Sequence, residues 1–514
     1  MHLAAALLGA LAFCGPSLGL QNASLPSIPS SPPENSSFSL DRALFSFSIE
    51  FAYLDSFTGN GSAPNELTRS LMAQLEQRTG VGPDVRPGGI TIDSSIFNRN
   101  APPLTLSMSS SGGIYRTTFG PGLYEFLNVF PNSTKFVASV NLGNATVSIA
   151  RDEAAAWIEH ISADRIRAFE LGNEADHYGG GSRPTGWSSA DYTATFLGWT
   201  AFLKRNLSLP DNAFQAGSFA DDPIKGEDFT TANIIAEGVL DSNSVMLFNQ
   251  HMYQYSTCDP ARNAIATLPN LVNHTNITAF VNEFVPQVQA ANAVGKNFVV
   301  GEFSSVSCSG KQNVTDTYGQ ALWLADTMLY SASVNIKRMY LHQGATLVFQ
   351  SSTQANAPGF SWYDLWYPTE TERYGSARAS PSFVAALLVA EAVGSSGKAK
   401  ISSVPIPNAP DLAAYAVWDS GELSRIALLN LGHRNVSSAP DEAAVAVDLS
   451  GVATSGATVK RMTGLGMDSK DTDGTKWAGQ SFTNGTATGD EVIEEPENGN
   501  VVIVNGSEGV IVFL

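Results

Sequence analysis

Basic residues are scarce in this sequence: 29 Lys and Arg stand against 48 Asp and Glu in 514 residues, a formal charge of −19 at neutral pH. Such a chain repels nucleic acid, anionic membranes and heavily sulfated polyanions. Cysteine is scarcer still, with three residues, and no metal-ligand spacing or internal repeat appears. Beyond the N-terminus no apolar run reaches the ~18 residues needed to span a bilayer. The stretch VVIVNGSEGVIVFL is broken by Gly506, Glu508 and Gly509, so it reads as two strands and a turn and not as a lipid-anchor signal. What remains is 43% hydrophobic and 15% charged, which excludes a disordered, collagen-like or coiled-coil protein and fits a globular chain of two domains.

Residues 3–13 form an apolar run of signal-peptide length, with Ser17 and Gly19 as small residues for cleavage near Gly19 or Leu20. Secretion is therefore expected, and cleavage would remove Cys14 and leave Cys258 and Cys308, an even number suited to an oxidising compartment. Glycosylation sequons at Asn22, Asn35, Asn60, Asn132, Asn144, Asn206, Asn273, Asn276, Asn313, Asn435, Asn484 and Asn505 point the same way.

After a Ser/Pro-rich stretch, strand-like and helix-like segments alternate in the rhythm of parallel βα units. Eight strand candidates begin near Ala43, Asp84, Lys135, Arg167, Phe214, Val245, Asn297 and Ile336, the number that a (β/α)8 TIM barrel needs. Helices are expected from Asn65 with Gly80 at its end, from Arg151, over the amphipathic stretch from Asp191, across a segment that Pro286 would kink, and over residues 319–332. From residue 380 a helix is followed only by strand-like segments, which predicts an antiparallel β-sandwich packed against the barrel. The expected organisation is an α/β chain: a signal peptide at 1–20, an N-terminal segment at 21–40 that could add a strand to the sandwich, a catalytic barrel at 41–379 and the sandwich at 380–514. Cys258 and Cys308 would both lie in loops just beyond barrel strands and are expected to pair.

Barrel active sites sit at the C-terminal ends of the strands. The fourth strand ends in Gly172, Asn173 and Glu174, and the seventh in Gly301 and Glu302. A carboxylate set directly after FVVG is unfavourable unless it is used or paired. Two of them on facing strands suit glycoside hydrolysis, where one protonates the leaving oxygen and the other attacks the anomeric carbon. A structural salt bridge would explain one of them, not both.

Asn173–Glu174 with Glu302 resembles the catalytic pair of clan A retaining glycosidases. VRPGG at 85–89, the strand ending in QHMYQY and LHQG at 341–344 narrow the resemblance to glycoside hydrolase family 79, the β-glucuronidases and related heparanases. The resemblance implies Glu174 as general acid/base, with a raised pKa, and Glu302 as nucleophile, ionised and held by donors such as Tyr253 and Arg86. It implies Asn173 on the sugar 2-hydroxyl. His251, on the same strand face as Tyr253, could act directly or support the site from below, and Arg86 could equally be a buried structural cation. Glu50 and Tyr53 could bind sugar hydroxyls, although a salt bridge would also explain Glu50. No basic cluster marks a carboxylate pocket, so hydroxyls and amides are expected there: Gly344 as a backbone donor, with His342 and Gln343 beside it. Trp362, Tyr363 and Trp366 suit sugar stacking or packing between barrel and sandwich about equally.

The implied activity is that of a secreted, retaining exo-β-glucuronidase, with terminal glucuronic acid as the sugar and its 4-O-methyl form left open as a second one. It would act as a monomer on a carbohydrate substrate, without cofactor, metal, nucleic acid or membrane. An exoglycosidase for neutral sugars, an endo-β-glucuronidase and a non-catalytic carbohydrate-binding protein are the alternatives; the low content of basic residues disfavours the endo-acting one on sulfated chains.

Overall fold

The computed structural model describes residues 20–110, 113–223, 228–345 and 359–514; the expected signal segment falls almost wholly outside them. Eight parallel strands close into a barrel: β1 (Phe45–Glu50), β2 (Val85–Gly88), β3 (Phe136–Val140), β4 (Ile166–Leu171), β5 (Phe214–Phe219), β6 (Val245–Ser256), β7 (Asn297–Ser307) and β8 (Ile336–Gln343). They pair in sequence order, and β8 returns to β1. Every residue of β1, β3 and β5 is buried, because helices cover the outside while side chains fill the inside, and this is why the strands read as near-continuous apolar runs.

Most helices fall where the pattern places them. Asn65 caps Glu66–Thr79 by accepting from the Thr68 amide, and Gly80 ends it in the left-handed conformation. Two begin earlier than the pattern suggests, as Val147–His160 and Ser189–Leu207, the second started by a Ser188/Asp191 capping box. Pro286 does not kink one helix; it opens the second of two, His274–Asn282 and Val285–Ala293, where its missing N–H costs nothing.

Two features depart further. Strand β7 does not end at Glu302 but runs five residues beyond it, paired with β6 up to Ser256↔Ser307. The two strands stand above the barrel rim as a ribbon closed by the Cys258–Cys308 disulfide. Between β2 and β3 lies a small sheet of Ser95–Phe97, Leu104–Met108 and Ile114–Phe119, to which the sequence pattern assigns no element.

The C-terminal region is two sheets. One has six strands in the order Lys400–Ser403, Leu412–Asp419, Glu422–Asn430, Glu508–Phe513, Thr458–Thr463, Lys476–Trp477, and the other holds Gln21–Ser24, Val445–Asp448 and Val501–Val504. Gln21–Ser24 joins Val445–Asp448 in parallel, an exception to the otherwise antiparallel pairing. The helices Tyr318–Ser333 and Phe383–Val393, buried on nearly all sides, lie between barrel and sheets. Glu391, the least apolar residue of the second, receives Arg78 from the barrel side, and Lys460 and the Trp477 indole from the sheet.

Candidate active site

A cavity of about 360 Å³ opens at the C-terminal face of the barrel, near the lower end of the ~300–1,000 Å³ usual for ligand sites. Its wall includes Glu50, Asn173, Glu174, Tyr253, Glu302 and His342. The chain turns sharply at the end of β4 to present Glu174: Gly172 has φ +74° and Glu174 itself φ +51°. Asp93 holds this turn by accepting from the amides of Leu142, Gly143 and Asn173 and, at 2.7 Å, from the Tyr178 hydroxyl. A left-handed non-glycine residue at a cavity wall is strain retained where surrounding contacts enforce it.

Beneath the cavity lies a buried ionic layer centred on Arg86, which is fully buried in β2. Its guanidinium donates to Glu170 Oε1 at 2.7 Å, Glu302 Oε2 at 2.8 Å, Asn173 Oδ1 at 2.9 Å and Ser48 Oγ at 3.1 Å. The neighbouring Gly88 leaves room for it, since a Cβ there would approach the guanidinium to 2.8 Å. Glu170 is satisfied from all sides, accepting also from Ser139, Gln215, Ser218 and Asn249. It is a functional-layer residue that sequence reading misses, because it sits inside an apolar strand with no rim position to mark it. Because Asn173 Oδ1 is engaged by Arg86, its Nδ2 is the group left to serve the cavity.

Glu302 receives the Tyr253 hydroxyl at 2.7 Å on Oε1, while Arg86 holds Oε2 and His342 Nδ1 lies 3.4 Å away. Burial alone would raise its carboxyl; the imidazoles of His342 and His251 and the Arg86 guanidinium outweigh that and keep it below the usual range. Burial raises Glu50 to about 7 despite the hydroxyl and amide of Thr91 on Oε1, and Glu302 adds to the rise. Arg86 opposes the rise only weakly, and His342 Nε2 lies 3.8 Å from Glu50.

Glu174 meets two imidazoles, His251 Nδ1 at 3.0 Å and His177 Nδ1 at 3.6 Å. Burial acts to raise its carboxyl, yet the two histidines bring it below the ordinary value. This is the reverse of the raised pKa expected from the sequence; beside His251 the cause is His177, a residue the sequence offers only as part of a polar turn. An oxygen of Glu174, a ring nitrogen of His251 and an oxygen of Glu302 lie within 4.8 Å of one another, as do atoms of Asp176, His177 and Asp221. Both groups have the donor types of a metal site. In the first, Arg86 already supplies a positive charge at Glu302.

The remaining expected residues divide. Arg86 and His251 lie under the cavity and do not line it. Gln343 is turned away, donating from Nε2 to the His342 carbonyl and accepting from the Leu365 amide through Oε1, and the Gly344 amide is taken by Asp364 at 3.1 Å, so neither offers a donor to a ligand. Tyr53 packs against the core beside Glu50 and is not on the wall. Of the three aromatics, Tyr363 lines the cavity, 6.5 Å from the Tyr253 ring. Trp366 is a core residue, edge-on to Phe47 and Phe57, and Trp362 packs on Tyr374. The disulfide expected between Cys258 and Cys308 is formed, with both cysteines on the wall. So is Arg262, the single Lys or Arg among the described wall residues. It is held by the Tyr253 carbonyl, and no strand end or motif flags it in the sequence.

Residues 414–511 match the model of the glycosyl hydrolase family 79 C-terminal beta domain. The chain is 29% identical over 430 residues to a beta-glucuronidase of Neurospora crassa, covering 77% of this chain and 73% of that one. It is 28% identical over 438 residues to a beta-glucuronidase of Aspergillus niger, covering 80% and 75%. The match to the family model and the two fungal enzymes bear out the resemblance to glycoside hydrolase family 79 that the sequence motifs carry. Among solved structures, the chain is similar to a 4-O-alpha-L-rhamnosyl-beta-D-glucuronidase from Fusarium oxysporum 12S, with TM-score 0.78, 23% identity and coverage of 96% of this chain and 100% of that one. A family 51 alpha-L-arabinofuranosidase of Bifidobacterium longum follows at TM-score 0.61 and 15% identity, covering 96% and 99%. Both show a shared barrel-and-sheet architecture.

Proposed function

We propose that this glycoside hydrolase is a secreted, retaining exo-β-glucuronidase that releases terminal β-linked glucuronic acid through a covalent glycosyl-enzyme. The observation that carries the reading is the approach of Glu174 and Glu302 to within 4.8 Å, matching the roughly 5–5.5 Å between carboxyls of retaining enzymes; inverting ones leave about 6.5–9.5 Å for a water. Glu302 is the nucleophile: ionised, and oriented by Tyr253 and Arg86, it attacks the anomeric carbon as the glycosidic C–O bond breaks and Glu174 protonates the departing oxygen. In the second half Glu174 takes a proton from water, whose oxygen displaces Glu302 from the same carbon. Asn173 Nδ2 would meet the sugar 2-hydroxyl.

The two fungal beta-glucuronidases support the choice of sugar, and so does Arg262, the single Lys or Arg among the described wall residues. One arginine at the ribbon suits one substrate carboxylate, whereas a cleft for a polyanionic chain needs several. This replaces the expectation that hydroxyls and amides alone would bind that group.

Hydrolysis of nitrophenyl β-glucuronide beside the β-glucoside and β-xyloside tests the reading, with a 4-O-methyl glucuronide as a further substrate. Preference for the glucuronides, abolished in Glu302→Gln, is expected. Azide should restore activity to Glu302→Ala with inverted product. Equal turnover of neutral and acidic glycosides would overturn the choice of sugar, and retention of rate by Glu302→Ala would overturn the roles.

A further inference from the structure

Each ring nitrogen of His177 faces a carboxylate: Nδ1 lies 3.6 Å from Glu174 Oε2, and Nε2 lies 3.3 Å from Asp221 Oδ1. A neutral imidazole can donate from only one nitrogen. His177 therefore serves both carboxylates at once only as an imidazolium, or, when neutral, keeps Nε2–H on Asp221 and accepts at Nδ1 from a protonated Glu174. These are two forms of one group that shares a single proton. On its other oxygen Glu174 meets His251, fully buried, whose Nε2 has no protein partner. His177 differs in reach, because about half of its side chain is exposed, so it alone of the two histidines connects the buried acid to solvent.

We propose, resting on the reading of Glu174 as the acid/base, that His177 is a positioning residue that stores the proton Glu174 delivers. In the resting enzyme the proton sits on Nδ1 and Glu174 is a carboxylate. As the pair closes from 3.6 Å to hydrogen-bond distance, the proton passes from Nδ1 to Oε2, leaving a neutral imidazole on Asp221. Glu174 then gives that proton to the leaving oxygen as its bond to the anomeric carbon breaks. During deglycosylation the proton lost by the attacking water is taken by Glu174 and returned to Nδ1, so no net proton is gained or lost by the site. The groups facing this pair are Asp176 on the same turn, Asp221 after β5, His251 and Tyr253 on β6, and Glu302 on β7. The hydrogen bonds with Asp221 and Glu174 push His177 up to about 11, consistent with its holding the proton while Glu174 is held low.

The test is the pH dependence of kcat/KM for an alkyl glucuronide, whose leaving group needs the proton, and for nitrophenyl glucuronide, whose leaving group needs it little. In His177→Asn, loss of the last proton is set by Glu174 with only His251 beside it, so the alkaline limb for the alkyl substrate should move to lower pH by at least about one unit. Turnover of that substrate near neutral pH should fall by about 10²-fold, while the nitrophenyl substrate at mildly acidic pH changes only a few-fold. Asp221→Asn should move the limb the same way by less, and it carries the test if His177→Asn does not fold. Added imidazole should restore the limb to His177→Gly, which a purely structural role would not permit. A His177→Asn profile that superimposes on the parent, or losses equal for both substrates with no movement of the limb, would overturn the proposal. Glu174→Gln separates the two readings. If it harms both substrates equally, the acid/base assignment itself fails; if it discriminates while His177→Asn does not, proton storage alone fails.

Discussion

At the scale of single residues the site depends on Arg86, which holds together two carboxylates of different kinds. Glu170 is saturated with donors from its own barrel layer, whereas Glu302 faces the cavity. Removing the guanidinium would strand both, so Arg86→Ala should destabilise the fold by about 3–5 kcal/mol in denaturant titration. Arg86→Lys should fold better yet lose most activity, because one ammonium cannot reach four acceptors set in a plane. Arg262 is the complementary case: partly exposed and bound to one carbonyl, it should be dispensable for folding. Arg262→Gln is expected to leave the melting temperature within about a degree or two and to raise KM for the glucuronide about tenfold, corresponding to ~1.4 kcal/mol, with the β-glucoside unaffected. Equal changes on both substrates would remove Arg262 from carboxylate recognition.

Among the elements, the β6–β7 ribbon does most to shape the cavity. It carries His251, Tyr253 and Glu302, and its disulfide closes a separation of 50 residues. Cys258→Ser with Cys308→Ser should lower stability by about 2–4 kcal/mol and raise KM, since Arg262 and Ser309 on the cavity wall lose a common tether; an unchanged KM would show that the wall is set by strand pairing alone. The sequence foretells the eight strands because each is buried on both faces and so reads as an apolar run. It carries β6 as far as Tyr255, but by ending the seventh strand at Glu302 it does not foretell that the two strands run on together as a ribbon above the rim. The sheet at Ser95–Phe119 is hidden too: its strands are short and rich in Ser and Thr, and Pro102 and Pro103 stand directly before the second of them. Glu174 and Glu302 are legible because a carboxylate after an apolar strand is anomalous; His177 and Arg262 are not, because a polar residue in a polar turn or on a short helix is ordinary. Where a side chain sits across space decides its role, and only the fold supplies that.

Over the whole molecule, burial and charge combine into a preference for acid. Burial raises Glu153 to about 8, Glu50 to about 7, and Asp93 and Asp176 to about 6. A carboxyl with a raised folded-state pKa contributes stability that is complete below its unfolded value and lost as pH rises through the folded value. Glu170, Glu174 and Glu302 are shifted down and act oppositely, their contribution being lost as pH falls below the ordinary carboxylate range. The melting temperature should therefore be highest near pH 5 and decline toward pH 8–9, with the net charge of −19 adding to the decline. Glu153→Gln keeps the hydrogen-bonding shape without the ionisation and should flatten the alkaline side; a profile that rises from pH 5 to 8 would refute the assignment.

The strand Glu508–Phe513 lies inside the six-stranded sheet, flanked by Glu422–Asn430 and Thr458–Thr463, and Gln21–Ser24 must wait for Val445–Asp448 to pair. Synthesis thus delivers a central strand after both of its neighbours and an edge strand long before its mate. Contacts so distant along the chain form slowly, and until residue 508 has emerged the half-made sheet shows two unpaired inner edges of the kind that invites aggregation. A chain broken off after Thr463 would be left with those edges permanently open, so a product that ends there lacks the one strand able to close the sheet.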